Sequence, residues 1–345
     1  MNSSMHTHDK GQKPMIPLVR LALLQPFVDY LDRTGVDSDE VLAANGLVRE
    51  SLFDSGVFVP VIVIHRFLEE GAVAAGDPSF GVHVGERLDL ASWPPFVDAA
   101  SHAATLSEFL IRFIRAAREE ASSARHYLEV GGLYTAFKEV RTTSQVIPPV
   151  QNDGFTAAYA LRLLRRGAGG DWNPEEVQLR VCDPVALPEH YLGISVITGD
   201  WMGISIRFPT EWLFRGVATR TLIQSSVSRK DALEIPRDFM DALRQAIALY
   251  IQDPELTLDR VAALIGIGRQ PLQRHLKMRG TTFTAEMNAA KRFRATELLK
   301  TTDQAITEIA GAVGFIDSTA FTRAFKSWTG ESPREYRKSH ERHIS

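Results

Sequence analysis

The feature that most constrains this chain is an internal repeat close to its end. Val261-Ala262 and Gly266 recur as Ile309-Ala310 and Gly314 at an offset of 48, and Leu272, Arg274, Leu276 and Lys277 recur as Phe321, Arg323, Phe325 and Lys326 at an offset of 49. Each copy reads as a helix, a turn marked by glycine, and a second helix. In the first copy Thr257 stands where it can cap a helix whose Val261, Leu264 and Ile265 face inward, while the small Ala262 lets a crossing helix come close. Gly266 ends that helix, since glycine takes the left-handed conformation that lets the chain leave at a steep angle. Leu272 and Leu276 anchor the second helix at i and i+4, with Pro271 in its first turn, where a missing amide costs little. In the second copy Ile306, Ile309 and Val313 repeat the apolar stripe, Asp317 or Ser318 can cap, and Phe321 and Phe325 anchor. Phe283 to Leu299 joins the copies as one continuous helix, with Met287, Ala290, Ala295, Leu298 and Leu299 available for packing.

Two helix-turn-helix units on one rigid body could enter successive major grooves of a DNA duplex, about 34 Å apart. The residues left outside the anchors suit such docking. They are Arg269, Gln270, Gln273, Arg274 and Lys277 in the first unit, and Ser318, Thr319, Thr322, Arg323 and Lys326 in the second. Arg can pair bidentately with guanine and Gln with adenine, whereas Lys, Ser and Thr more often hold phosphate. The formal net charge of the 345 residues is −3, a poor sign for a nucleic-acid binder, but its distribution is uneven. Residues 237 to 345 hold 17 Lys and Arg against 13 Asp and Glu, net +4, which leaves net −7 for the rest. Between Arg260 and Arg294 eight basic residues face Glu286 alone.

The rest of the chain reads differently. Leu106 to Ala121 sets Phe109, Leu110, Phe113, Ile114 and Ala117 on one helical face and Arg112, Arg115 and Arg118 elsewhere. Tyr127 and its neighbours reach Gly131-Gly132 before a strand pattern resumes from Leu133 to Val140, as in a hairpin. Glu176 to Cys182 and Gly203 to Phe208 also read as strands. The expected architecture is an α+β domain over residues 15–215, a polar linker over 216–236, and an all-α domain of two helix-turn-helix units joined by a long helix over 237–340.

With the repeat laid out, the C-terminal part resembles the AraC/XylS family of bacterial transcription regulators. The likeness covers Asp241 to Lys338 and is clearest in the run EIAGAVGFIDSTAFTRAFKSWTGESPREYR, Glu308 to Arg337, including its closing Gly330, Ser332-Pro333 and Tyr336. One departure is Gly268, at a capping position often filled by Ser, with Pro271 following. The N-terminal part is similar to the effector-binding domain of the ornithine-responsive subgroup, through Gly76-Asp77-Pro78-Ser79-Phe80-Gly81, Thr105-Leu106 and Trp172-Asn173-Pro174. The resemblance implies double-stranded promoter DNA as partner, RNA polymerase beside it, activation of transcription, and an N-terminal domain that senses a small-molecule effector and helps form a homodimer. A second reading stays open, in which that domain only dimerises or docks a partner protein.

Other classes are disfavoured by the residues. Met1 to Pro14 lacks the apolar core of a secretory signal, and no segment is long and apolar enough to span a bilayer, so the expected location is the cytoplasm. Cys182 is the only cysteine, with Val181 and Asp183 beside it, which fits a core residue better than a reactive thiolate. His65, His83, His102, His126 and His190 lack metal-ligand spacing, and no serine sits in a nucleophile elbow. No enzyme activity, metal or cofactor is expected. Trp93, Trp172, Trp201 and Trp212 are read as core residues or as walls of an effector pocket.

Overall fold

The computed structural model describes residues 16–54, 56–89, 103–216, 235–236 and 238–340, with 93, 95, 96 and 99. Most of the expected linker, His102 and the polar stretch 1–14 lie outside the described residues.

The N-terminal half is built around a five-stranded sheet. Its strands are β3 (Ala124–Val130), β4 (Tyr134–Arg141), β5 (Gln178–Val181), β6 (Ser195–Thr198) and β7 (Gly203–Pro209), in the order β3-β4-β7-β5-β6. Only β5 and β6 run parallel; the other neighbours are antiparallel. The alternation read along β7 holds, with Ile204, Ile206 and Phe208 buried and Arg207 exposed. The Gly131-Gly132 hairpin is present one residue later than read, Val130 pairing with Thr135. A short ribbon of β1 (Leu18–Arg20) and β2 (Phe58–Pro60) sits apart from this sheet.

This half also carries helices α1 (Gln25–Arg33), α2 (Ser38–Ala44), α3 (Val61–Ala75), α4 (Phe80–Arg87), α5 (Leu106–Glu120) and α6 (Val150–Ala168). On α5 the foreseen face is buried through Phe109, Leu110, Phe113 and Ala117, and Arg112, Arg115 and Arg118 point to solvent. Helices α4 and α6 cross so closely that a Cβ on Gly81 would lie 2.0 Å from the Gln151 carbonyl oxygen, and one on Gly85 2.7 Å from Ala158 Cβ. Only glycine fits there, and the approach fixes α6 against α3 and the sheet.

From Asp238 on, the described chain is helical: α7 (Phe239–Leu249), α8 (Leu258–Leu264), α9 (Arg269–Met278), α10 (Phe283–Thr301), α11 (Ile306–Ala312), α12 (Ser318–Thr329) and α13 (Pro333–His340). Val261, Leu264, Ile265, Leu272 and Leu276 join the same continuous core as the N-terminal half, so the first unit is docked on it. The second unit has its own core of Ala295, Leu298, Leu299, Ile309, Ala310, Val313, Phe321 and Phe325. The long α10 bridges the two, giving Met287 to one core and Ala295, Leu298 and Leu299 to the other.

Candidate functional site

Local rules place the outward faces of α9 and α12. Thr257 caps α8 by accepting from the Arg260 amide at 3.2 Å, and Asp317 caps α12 by accepting from the Thr319 and Ala320 amides at 2.9 and 3.0 Å. Gly266 and Gly314 both take φ +71°, the left-handed conformation that turns α8 into α9 and α11 into α12. At Gly314 a Cβ would also meet the Ile251 carbonyl oxygen at 2.5 Å. Gly268 precedes α9 with no side-chain cap, so Pro271 occupies its third helical position, where the amide would have no intrahelical partner.

With Leu272, Leu276, Phe321 and Phe325 turned into their cores, Arg269, Gln270, Gln273, Arg274 and Lys277 are all exposed along α9. On α12 Thr319, Arg323 and Lys326 are exposed, while Ser318 and Thr322 are half-buried and the Thr322 hydroxyl donates to the Ser318 carbonyl at 2.8 Å. Arg269 is ion-paired to Asp259 at 2.6 Å through one of its guanidinium nitrogens. Not every basic residue of the 260–294 stretch faces outward. Lys291 is half-buried: its ammonium donates to the Gly314 carbonyl at 3.1 Å, lies 4.5 Å from the centre of the Phe315 ring, and has its pKa lowered by burial. It ties the long helix to the turn of the second unit, a role that charge counting does not reveal.

A second feature lies in the N-terminal half. Between α1, α3, α5, α6 and the sheet is a cavity of about 110 Å³, whose wall is mostly apolar and includes Phe27, Ile64, Phe113 and Phe155. At one side are His65, His126, Glu139 and Arg141. Burial alone would raise the Glu139 carboxyl, but the hydrogen bond from His126 Nε2 at 3.1 Å and the Arg141 guanidinium beside it hold it well below the usual range. Arg141 is ion-paired to Asp153, which also accepts from the Cys182 amide at 2.8 Å. Cys182 is buried, and its thiol is pushed up by burial and by Asp153, as befits a core residue. His65 is 3% exposed, and burial, with the nearby Arg141 charge, lowers its pKa to about 4, so it is neutral at pH 7.

Of the four tryptophans in the N-terminal half, Trp93 lines this cavity, Trp212 is core at 1% exposed, Trp172 packs against Trp212 with ring centres 5.5 Å apart and tilted by 32°, and Trp201 is 43% exposed. His65 and His126, far apart in sequence, meet here; among the described residues no three His, Cys, Asp or Glu side chains gather as metal ligands would.

Two residues of the cavity wall also reach toward the first helix-turn-helix unit. His65 and Val61 also line a narrow crevice whose opposite wall is residues 143–147 with Leu264, Ile265 and Gly266. Nearby, the Tyr250 hydroxyl donates to the Asn45 carbonyl at 3.1 Å, from the end of α7 to the end of α2.

A family model described as the arabinose-binding domain of AraC transcription regulators, N-terminal, matches residues 35–214, and one described as a helix-turn-helix domain matches 261–339. The ornithine utilization regulator of Pseudomonas aeruginosa is 24% identical over 329 residues, covering 87% of this chain and 94% of that one. The transcriptional activator NphR of a Rhodococcus species is 32% identical over 100 residues, 29% of this chain and 30% of that one. Among solved structures, the transcriptional regulator CdpR from Pseudomonas aeruginosa matches at 19% identity and TM-score 0.40, covering 96% of this chain and 100% of that one. The DNA-binding domain of AdpA, solved with a target DNA, matches at 21% identity and TM-score 0.28 over 30% of this chain and 95% of that one. Each of these relatives is named as a regulator, an activator or a transcriptional factor, and among the described residues no helix is long and apolar enough to cross a membrane.

Proposed function

The chain belongs to the AraC family of transcription regulators, and we propose that a small effector held in the N-terminal cavity controls how its two helix-turn-helix units engage promoter DNA. In this reading residues 15–215 sense and dimerise, 216–236 link, and 237–340 bind DNA. Arg274 and Arg323 read bases from equivalent positions of α9 and α12. Arg269, Gln270, Gln273 and Lys277 in the first unit, and Ser318, Thr319, Thr322 and Lys326 in the second, complete the contacts to base edges and phosphates. The relatives include one named as a transcriptional activator, which supports activation, with RNA polymerase as the further partner.

One observation carries the sensing role: Val61 and His65 belong both to the cavity wall and to the crevice against Leu264, Ile265 and Gly266. An occupant that shifts the start of α3 moves the surface on which the first unit rests. Control then requires only that the occupant favour one docked arrangement over the other.

The test is to fill the cavity. Ala117 lies on its wall and is 8% exposed, so Ala117→Phe puts a ring where an effector would sit. Binding to the DNA upstream of the protein's own gene, and output of a reporter driven by it, should change together in the variant. If both match the parent protein while the variant stays folded, the N-terminal half acts as a dimerisation or docking module instead.

A further inference from the structure

The wall of the cavity also specifies the kind of molecule it takes, an inference that rests on the sensing role proposed above. Its size is the first constraint. An apolar cavity of roughly 150 Å³ holds benzene, so about 110 Å³ suits one ring or a branched chain of similar bulk. A sugar would bring several hydroxyls to a wall formed largely by Phe27, Ile64, Leu68, Phe113 and Phe155, and each hydroxyl left unpaired there costs free energy.

Charge is the second constraint, because the protein answers the charged side chains of the described wall itself. Glu120 is ion-paired to Arg20 at 2.8 Å. Glu139 accepts from His126 at 3.1 Å, with Thr156 and Asn152 at 3.4 and 3.5 Å. Arg141 is ion-paired to Asp153 and donates to the Trp201 carbonyl at 3.0 Å. A ligand carboxylate or ammonium would lose its hydration without meeting an opposite charge that is not already ion-paired.

The described wall also offers a neutral donor. The Trp93 ring lines the cavity at 8% exposure, and its indole Nε1–H is buried with no hydrogen-bond partner. Indole is a donor only, so the complement it lacks is an acceptor. We propose that the cavity binds an uncharged, single-ring-sized apolar compound bearing one hydrogen-bond acceptor, which takes the Trp93 N–H. An aromatic ketone has this chemistry, as does a cyclic one.

The full-length protein would be tested by thermal shift and tryptophan emission with acetophenone, toluene, benzoate, benzylammonium, L-ornithine and L-arabinose. Acetophenone should raise the melting temperature saturably, with benzoate and benzylammonium at least tenfold weaker. Trp93→Phe keeps the apolar wall but removes the donor, so it should weaken acetophenone about three- to tenfold, as loss of one hydrogen bond does, and leave toluene unchanged. Ala117→Phe should abolish binding of both. If a charged probe or the sugar binds more tightly than acetophenone and Ala117→Phe blocks it, the ligand class is wrong. Failure of both acetophenone and toluene to bind also overturns the ligand class. The sensing role itself is decided separately, by the DNA-binding and reporter comparison of Ala117→Phe with the parent protein.

Discussion

His65 gives the account a pH signature whose size follows from its surroundings. It sits on α3 between the cavity and the crevice facing the first unit, 3% exposed. Burial, reinforced by the Arg141 charge and opposed by Glu139 and a hydrogen bond with Gln145, brings its pKa from 6.5 down to about 4. The unfolded chain therefore takes up a proton on this imidazole near pH 6.5, whereas the folded chain resists until pH 4. The stability that neutral His65 contributes is complete above pH 6.5 and is lost as the pH falls through that window. Integrated to pH 5 the loss is roughly 2 kcal/mol, and by pH 4 roughly 3 kcal/mol, at 1.36 kcal/mol per pH unit. Other groups respond in the same range; Glu69, for one, is raised by burial and acts in the opposite sense. They are common to parent and variant, so the difference isolates His65. Urea midpoints followed by tryptophan emission at pH 7 and pH 5 should show His65→Gln losing about 2 kcal/mol less than the parent between the two. Equal losses in both proteins would refute the reasoning, and with it the view that a neutral imidazole is held at this wall.

Other outcomes follow from packing and charge. Phe321 is fully buried in the small core of the second unit, so Phe321→Ala should cost about 3–5 kcal/mol. Because that core is separate from the main one, circular dichroism should show helix loss while emission from the N-terminal tryptophans persists. Asp153→Ala leaves the buried Arg141 guanidinium with Glu139 at 3.6 Å as its remaining carboxylate, and chemical denaturation should find it about 3–5 kcal/mol less stable.

How much of this could be read from the sequence varies with how local the cause is. The second helix-turn-helix unit was legible because its residues do local work: Gly314 and Gly330 take left-handed backbone, Asp317 caps, and Phe321 and Phe325 turn inward at i and i+4. The hairpin at Gly131-Gly132 and the alternation of β7 were legible for the same reason. The three-residue strands β1 and β2 are too short to show alternation, and β6 has no inward run, since Val196 and Ile197 are only half-buried. The cavity had no sequence signature. His65, Trp93, Phe113, His126 and Tyr159 come from five separate segments, and only the tertiary fold assembles them. Lys291 counted as one more base in a basic stretch, although the Gly314 carbonyl claims it. No spacing rule could have separated it from Arg292 and Arg294.

The most direct test of the central claim is a footprint of the full-length protein on the DNA upstream of its own gene, titrated against salt, for the parent, Arg274→Ala and Arg323→Ala. The account predicts two protected major-groove segments about 34 Å apart. Arg274→Ala should lose contact in one segment and Arg323→Ala in the other, each weakening specific binding by about 1–3 kcal/mol with a shallower salt slope. Protection and affinity unchanged in both variants would contradict the docking of α9 and α12 in the grooves.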